Sequence, residues 1–172
     1  MTREFVGGIK FTDIPWRSTS SLWGDESDQP ADLNITEYGL ARVLSRDNST
    51  GAISLLIKEP PGWHTAAAEA HSVYQEDILL EGDCWYGEEH FEGPTYFSFQ
   101  TGEFHGPMYT ETGALWLVTL DGPFDVTYSE DVRAENMSWF ERANRRSVLG
   151  RVLALISEAA SYHVGSGCPA WR

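Results

Sequence analysis

The segment Glu69-Ala-His71-Ser-Val-Tyr-Gln75-Glu-Asp77-Ile-Leu-Leu-Glu-Gly82 sets two potential metal ligands two residues apart, and Phe104-His105-Gly106-Pro107 supplies another imidazole further on. Residues two apart on a strand share a face, so Glu69 and His71 point the same way and a short turn brings Gln75 alongside on the next strand. His105 follows a separate apolar run, Thr95-Tyr-Phe-Ser-Phe-Gln100. It reaches the same point only if the strands curl into a barrel. Spacing and chemistry thus point together to an all-β barrel around a metal site.

Working outward, Tyr38–Leu44 and Ala52–Lys58 are apolar runs separated by Arg46-Asp-Asn-Ser-Thr-Gly51, a cluster of turn formers that predicts a hairpin. Further strands are expected at Asp77–Leu80, Cys84–Tyr86, Thr95–Gln100, Ala114–Leu120 and Phe124–Tyr128, each bounded by Gly, Pro or acidic turns. Short strands at this density predict a sandwich or closed barrel. Residues 1–35 mix Gly, Ser, Asp and Pro with anchors Phe11, Trp16, Leu22 and Trp23 and read as an arm; residues 36–130 form the barrel core and 131–172 a C-terminal helical extension. In that extension Leu149, Val152, Leu153, Ile156 and Ala160 follow helical spacing, with Ser147 as N-cap and Gly165 as stop. Arg142, Arg145, Arg146 and Arg151 read as a solvated face, or else as an interface in a homo-oligomer.

A chain of 172 residues with 41% apolar side chains is long enough for a single domain with its own core. The formal net charge of −14 repels phosphate backbones and anionic lipid, which argues against nucleic-acid and membrane partners. No apolar run is long enough for a membrane span or a secretory leader, and Cys84 and Cys168 are too few for a disulfide framework, so the expected location is the cytoplasm. Serine-nucleophile, phosphate-loop and dinucleotide motifs are absent from the sequence. Cys84 follows Glu81-Gly-Asp83, whose carboxylates disfavour a thiolate.

The 69–105 pattern resembles the cupin superfamily over roughly residues 52–126. The first cupin motif runs His-x-His, a Glu or Gln four residues on and a Gly seven further; these positions fall on Glu69, His71, Gln75 and Gly82. The lone His of the second motif falls on His105. Two positions depart from the pattern: Glu69 stands where the first His is usual, and Gln100 stands where a Pro commonly precedes the second motif's turn, although Thr101-Gly102 keeps that turn. Pro60-Pro-Gly-Trp63 and Thr119-Leu-Asp-Gly-Pro123 are similar to single-domain cupins related to the sensory half of certain anti-sigma factors. The resemblance implies a β-sandwich jelly-roll barrel holding one divalent metal per chain through Glu69, His71, Gln75 and His105. Glu69 then carries the charge that the family usually places at the Gln75 position, and His64 is an alternative to Glu69 if the Ala-rich loop folds back.

Two imidazoles, a carboxylate and an amide oxygen suit zinc, manganese, nickel, cobalt or ferrous iron alike. Asp77 shares strand parity with Gln75, so burial in the barrel would raise its pKa and make it, with Glu69, a candidate proton carrier. Aromatics along the strands, such as Phe97, Phe99, Tyr109 and Trp116, are expected to form core and to line a pocket for an apolar or aromatic organic substrate. The implied function is a metal-dependent enzyme on a small oxygenated molecule, of lyase, isomerase or cyclase type. A non-haem iron dioxygenase and a non-catalytic sensor module are the alternatives. Aromatics in the arm, with the C-terminal helix, predict a homodimer.

Overall fold

The computed structural model describes residues 8–22 and 39–145. Ten strands are formed: β1 (Arg17–Ser18), β2 (Leu40–Arg46), β3 (Ile53–Glu59), β4 (Ala67–Ala70), β5 (Gln75–Tyr86), β6 (Glu89–Glu92), β7 (Thr95–Phe99), β8 (Met108–Tyr109), β9 (Ala114–Leu120) and β10 (Thr127–Arg133). All their pairings are antiparallel. The larger layer runs β1-β2-β3-β9-β5, with β7 on the other side of the first half of β5. The second half of β5 pairs with β6 and β8, and β4 pairs with β10. Single-residue bridges from His64 to Tyr109 and from Glu69 to His105 join these pieces into the facing layer. The result is a jelly-roll barrel.

The β2–β3 hairpin forms as the sequence predicts: Asp47 accepts from the backbone N–H of Ser49 at 2.8 Å while Gly51, at φ +81°, closes the turn. Along β9, Ala114, Trp116, Val118 and Leu120 alternate inward between the layers. They pack with Leu55 and Leu79, which are fully buried. A second cluster follows β10, where Trp139 stacks on Tyr109 at 5.1 Å between ring centroids and donates its indole N–H to Gly87 O at 2.7 Å. A helix begins at residue 140, and among the described residues no helix is long and apolar enough to cross a membrane.

Several sequence expectations are corrected. The two strands expected at Asp77–Leu80 and Cys84–Tyr86 are one continuous β5: the bulge against β9 falls at Leu80, and Gly82 stays paired with Ala114 instead of reversing the chain. Its φ of +88° and its position against Gly113, whose carbonyl oxygen would lie 1.8 Å from an added Cβ, let the strand bend from one layer into the other. Gly82→Ala is therefore expected to cost about 3 kcal/mol or more, since backbone must move to admit the methyl group; a urea melt of the variant beside the wild type measures it. The strand expected at Phe124–Tyr128 starts later, at Thr127, and carries the barrel to Arg133, because Asp125 is held in the preceding loop by Ser72. His90 lies exposed on β6 with its Nε2 3.4 Å from Asp83 and its ring beside that of Trp85. Arg142, read as part of a solvated face, is exposed, with its guanidinium over the Trp85 ring at 5.2 Å, while Trp16 of the arm takes Arg42 at 4.1 Å. The helix predicted beyond Ser147, and Trp23, lie outside the described residues.

Candidate metal centre

Glu69 is the third residue of β4, the half-buried one between buried alanines, and its backbone pairs reciprocally with His105: each N–H donates to the other's carbonyl at 2.9 Å. His71 follows one residue beyond β4, and Gln75 opens β5. This topology brings one carboxylate and two imidazoles into a single cluster, with a ligand atom from each of Glu69, His71 and His105 within 4.8 Å of the others. Glu69 Oε1 stands 3.9 Å from His105 Nε2, and the two imidazole centroids are 5.5 Å apart.

The imidazoles are oriented from behind. His71 Nδ1 donates to the carbonyl of Asp125, and His105 Nδ1 donates to the carbonyl of Glu103 at 3.2 Å. Holding the proton on Nδ1 leaves each Nε2 as a lone pair, the arrangement of metal-binding histidines. Phe99 stacks on His105 at 3.9 Å between centroids and fixes the ring plane. Burial depresses the pKa of both rings, His105 to about 4, so both are neutral at physiological pH and ready to bind a cation.

Gln75 gives its amide N–H groups to both carboxylate oxygens of Asp77, at 2.8 and 2.9 Å, and is thereby oriented with Oε1 unpaired. Gln75 Oε1 and His105 Nε2 are buried and without hydrogen-bond partners, a costly state for polar atoms. A divalent ion held by the Glu69, His71 and His105 cluster would satisfy His105 Nε2. The donor set therefore fits the metal the sequence implies, and Gln75 offers a neutral oxygen beside the three charged or imidazole groups. In the absence of a cation, burial and then the charge of Asp77 push Glu69 up to about 8.

Asp77 is buried, and burial raises it to about 7 against the opposing hydrogen bonds from Gln75 and from Tyr86 Oη, the latter at 3.2 Å. It faces, with Glu69, His71 and Gln75, a cavity of about 110 Å³. His64 also borders this cavity but stands outside the three-residue cluster. Its ring is wedged edge-on against Trp139 and Phe140, so the alternative in which it replaces Glu69 is not the arrangement formed. Cys84 is buried with its thiol pKa raised by burial, in keeping with an inert role.

Sequence reasoning passed over Glu59 and Tyr86, which also line the cavity. Glu59 was legible, since it continues the inward parity of Ile53, Leu55 and Ile57 on β3. Tyr86 lies beyond the bulge at Leu80, which hides its parity with Asp77.

The carboxylate exchange gives a direct test. Glu69→Gln is expected to weaken metal affinity by about 10- to 100-fold, whereas Gln75→Glu adds a charge and is expected to bind at least as tightly as the wild type. Competition titration against a chelating dye resolves the two.

A jelly roll with this cluster at its inner face has the fold of the cupin superfamily. No protein-family model matches the chain, and no curated protein matches it. Among solved structures, a candidate acetylacetone dioxygenase from Methylibium petroleiphilum PM1 superposes with a TM-score of 0.57 at 15% identity, over 76% of this chain and 85% of that one. The acetylacetone dioxygenase of Acinetobacter johnsonii does so with 0.53 at 17% identity, over 76% and 81%. The polyketide cyclase RemF of Streptomyces resistomycificus gives 0.52 at 16% identity, over 80% and 97%. At such identities the shared property is the fold.

Proposed function

We propose that this chain is a metal-dependent enzyme that moves a proton on a small oxygenated organic molecule, in lyase, isomerase or cyclase fashion. The observation that carries the reading is the convergence of Glu69, His71 and His105, with His105 Nε2 and Gln75 Oε1 left unpaired and Glu69, His71 and Gln75 lining a cavity. A divalent ion held there would act as a Lewis acid toward a carbonyl or enolate oxygen. The protein's part is then acid–base work and the exclusion of water. Asp77 lies beside the cluster, and burial, which raises its carboxyl above the usual range, suits it to be a base that takes a proton next to a carbonyl and returns it elsewhere. Tyr86 and the Gln75 amide hold that carboxylate in place. Glu69, engaged in the cluster, supplies charge rather than proton transfer.

A second reading has a specific observation behind it: two histidines and one carboxylate are also the ligand set of non-haem ferrous oxygenases. The acetylacetone dioxygenases among the structural neighbours lend that reading support. Both readings are tested with small β-dicarbonyl compounds and protein loaded separately with zinc and with ferrous iron. Deuterium exchange at the acidic carbon without oxygen supports the proton-transfer enzyme. Oxygen uptake with C–C cleavage supports the dioxygenase. Tight binding without either would make the chain a sensor module. In the first case Asp77→Asn is expected to lower the exchange rate by about 100-fold or more with metal content unchanged.

A further inference from the structure

Part of the cavity wall comes from the arm rather than from the barrel strands: Thr19, in the turn that follows β1, lines it. The arm is fastened on both sides of this residue. Arg17 and Ser18 extend the sheet by pairing with Ala41 and Leu40 of β2, and Trp16 takes Arg42 at 4.1 Å. Beyond Thr19, Leu22 is 8% exposed and packs in the main apolar cluster. Thr19 itself donates its backbone N–H to Gly39 O at 2.9 Å. Gly39 permits this approach, since a Cβ added there would lie 3.1 Å from Lys58 O, 3.5 Å from Thr19 Cγ2 and 3.6 Å from Glu59 Cγ. Thr19 and Glu59 thus meet around one glycine, and the arm covers the cavity where β3 ends.

The metal cluster stands at the other end of the barrel. Phe99, the ring stacked on His105, pairs with Gln75, and Gln75 pairs with Leu120 of β9. Glu59 pairs with Ala114, at the opposite end of the same strand. At about 3.4 Å per residue, about 20 Å of backbone separates the two pairings. Trp116 and Val118 are the inward residues of β9 between them, and both line the cavity. One cavity therefore reaches from the cluster to the arm.

We propose that Thr19 is a specificity-determining residue, which limits how far a molecule held at the Glu69, His71 and His105 cluster extends toward the end of β3. A ligand tail gains affinity with each methylene it buries, until it meets a wall that cannot yield. The arm is such a wall, because sheet pairing and the Trp16–Arg42 contact hold it before Thr19 and the core holds it after. A small branched side chain at this point leaves room that a bulky one would take. The direction in which the ligand lies rests on the metal-enzyme reading.

The test uses acetylacetone and 2,4-octanedione, which share a dicarbonyl head and differ in the length of one tail. Both are titrated calorimetrically into the zinc-loaded and the metal-free protein, as wild type, Thr19→Ala and Thr19→Trp. Thr19→Trp is expected to weaken binding of the octanedione by about tenfold or more and that of acetylacetone by less than about twofold. Thr19→Ala, which removes a methyl and a hydroxyl from the wall, is expected to tighten the octanedione by about threefold and to leave acetylacetone unchanged. Both variants should keep the wild-type metal content and a cooperative thermal melt. Equal shifts for the two probes, as a merely loosened arm would give, overturn the proposal. So does the absence of any shift in both variants, or binding of neither probe. Should Thr19→Trp fail to melt cooperatively, Thr19→Ala decides, and an unchanged ratio of the two affinities there overturns the proposal. Failure to take up zinc would sink the enzyme reading alone, since the ratio is also read from the metal-free protein.

Discussion

His71→Ala and His105→Ala are each expected to abolish stoichiometric metal binding, with elemental analysis of the purified protein falling from about one divalent ion per chain to background. The expectation follows from how the rings are held. Each Nδ1 is anchored on a backbone carbonyl, of Asp125 for His71 and of Glu103 for His105, so each ring contributes a preorganised lone pair that other side chains cannot replace. Removing either leaves one imidazole, one carboxylate and an amide, a set too weak to compete with water at micromolar ion. The fold should survive, because neither ring belongs to the apolar cluster built from Leu55, Leu79, Trp116 and Leu120. Far-ultraviolet circular dichroism and a cooperative melt check that point. Retention of one tightly bound ion in both variants would remove the cluster from consideration as the metal centre.

The second large effect is on stability against pH. Glu59 and Glu69 are raised to about 8 and Asp77 to about 7, in each case chiefly by burial. A carboxyl group whose folded pKa lies above its unfolded value favours the native state while both are protonated. That contribution starts to vanish as pH climbs past about 4 and is gone above the folded pKa. The metal-free protein is therefore expected to lose stability steadily between about pH 5 and 8.5, with Tm falling by about 10 °C over that span. On the acid side, Asp83, held down by hydrogen bonds from Thr112 and the 111–112 backbone, and Asp125, held down by Ser72, act with the opposite sign. Their contribution is lost as pH falls below about 4, which places the stability maximum near pH 5. Added metal should reverse the alkaline loss, raising Tm more at pH 8 than at pH 5.5, because binding replaces the proton on Glu69. Differential scanning calorimetry of both forms across this range is decisive, and a flat metal-free profile would mean that these carboxyl groups are hydrated in the native state.

What could be read from the chain follows from how local each signal is. The β2–β3 hairpin and β9 were legible because alternation and turn formers act within a few residues, and β9 occupies the span its pattern predicts, Ala114–Leu120. Glu69, His71, Gln75 and His105 were legible as a pattern, although the reciprocal pairing of Glu69 with His105 that brings them together belongs to the tertiary fold. Gly82 was misread because Glu-Gly-Asp looks like a reversal, and only its pairing with Ala114 and the close approach of Gly113 reveal a strand that continues and bends. Glu59 was missed through the neighbouring Pro60-Pro61, which drew it into the loop although its parity was inward. The support for the rings escaped reading altogether, since carbonyls from Glu103 and Asp125 leave no trace in side-chain identity.

The paired backbone bonds between Glu69 and His105 have an evolutionary corollary. They set the separation of two candidate ligand positions through main-chain atoms alone, so the identity of the side chain at 69 can drift without disturbing the opposite strand. Glutamate is joined to histidine in the genetic code through glutamine, one base at a time. A lineage can therefore trade charge for imidazole at this slot, retuning which ion it captures from its surroundings, while the barrel that presents the slot stays under separate selection.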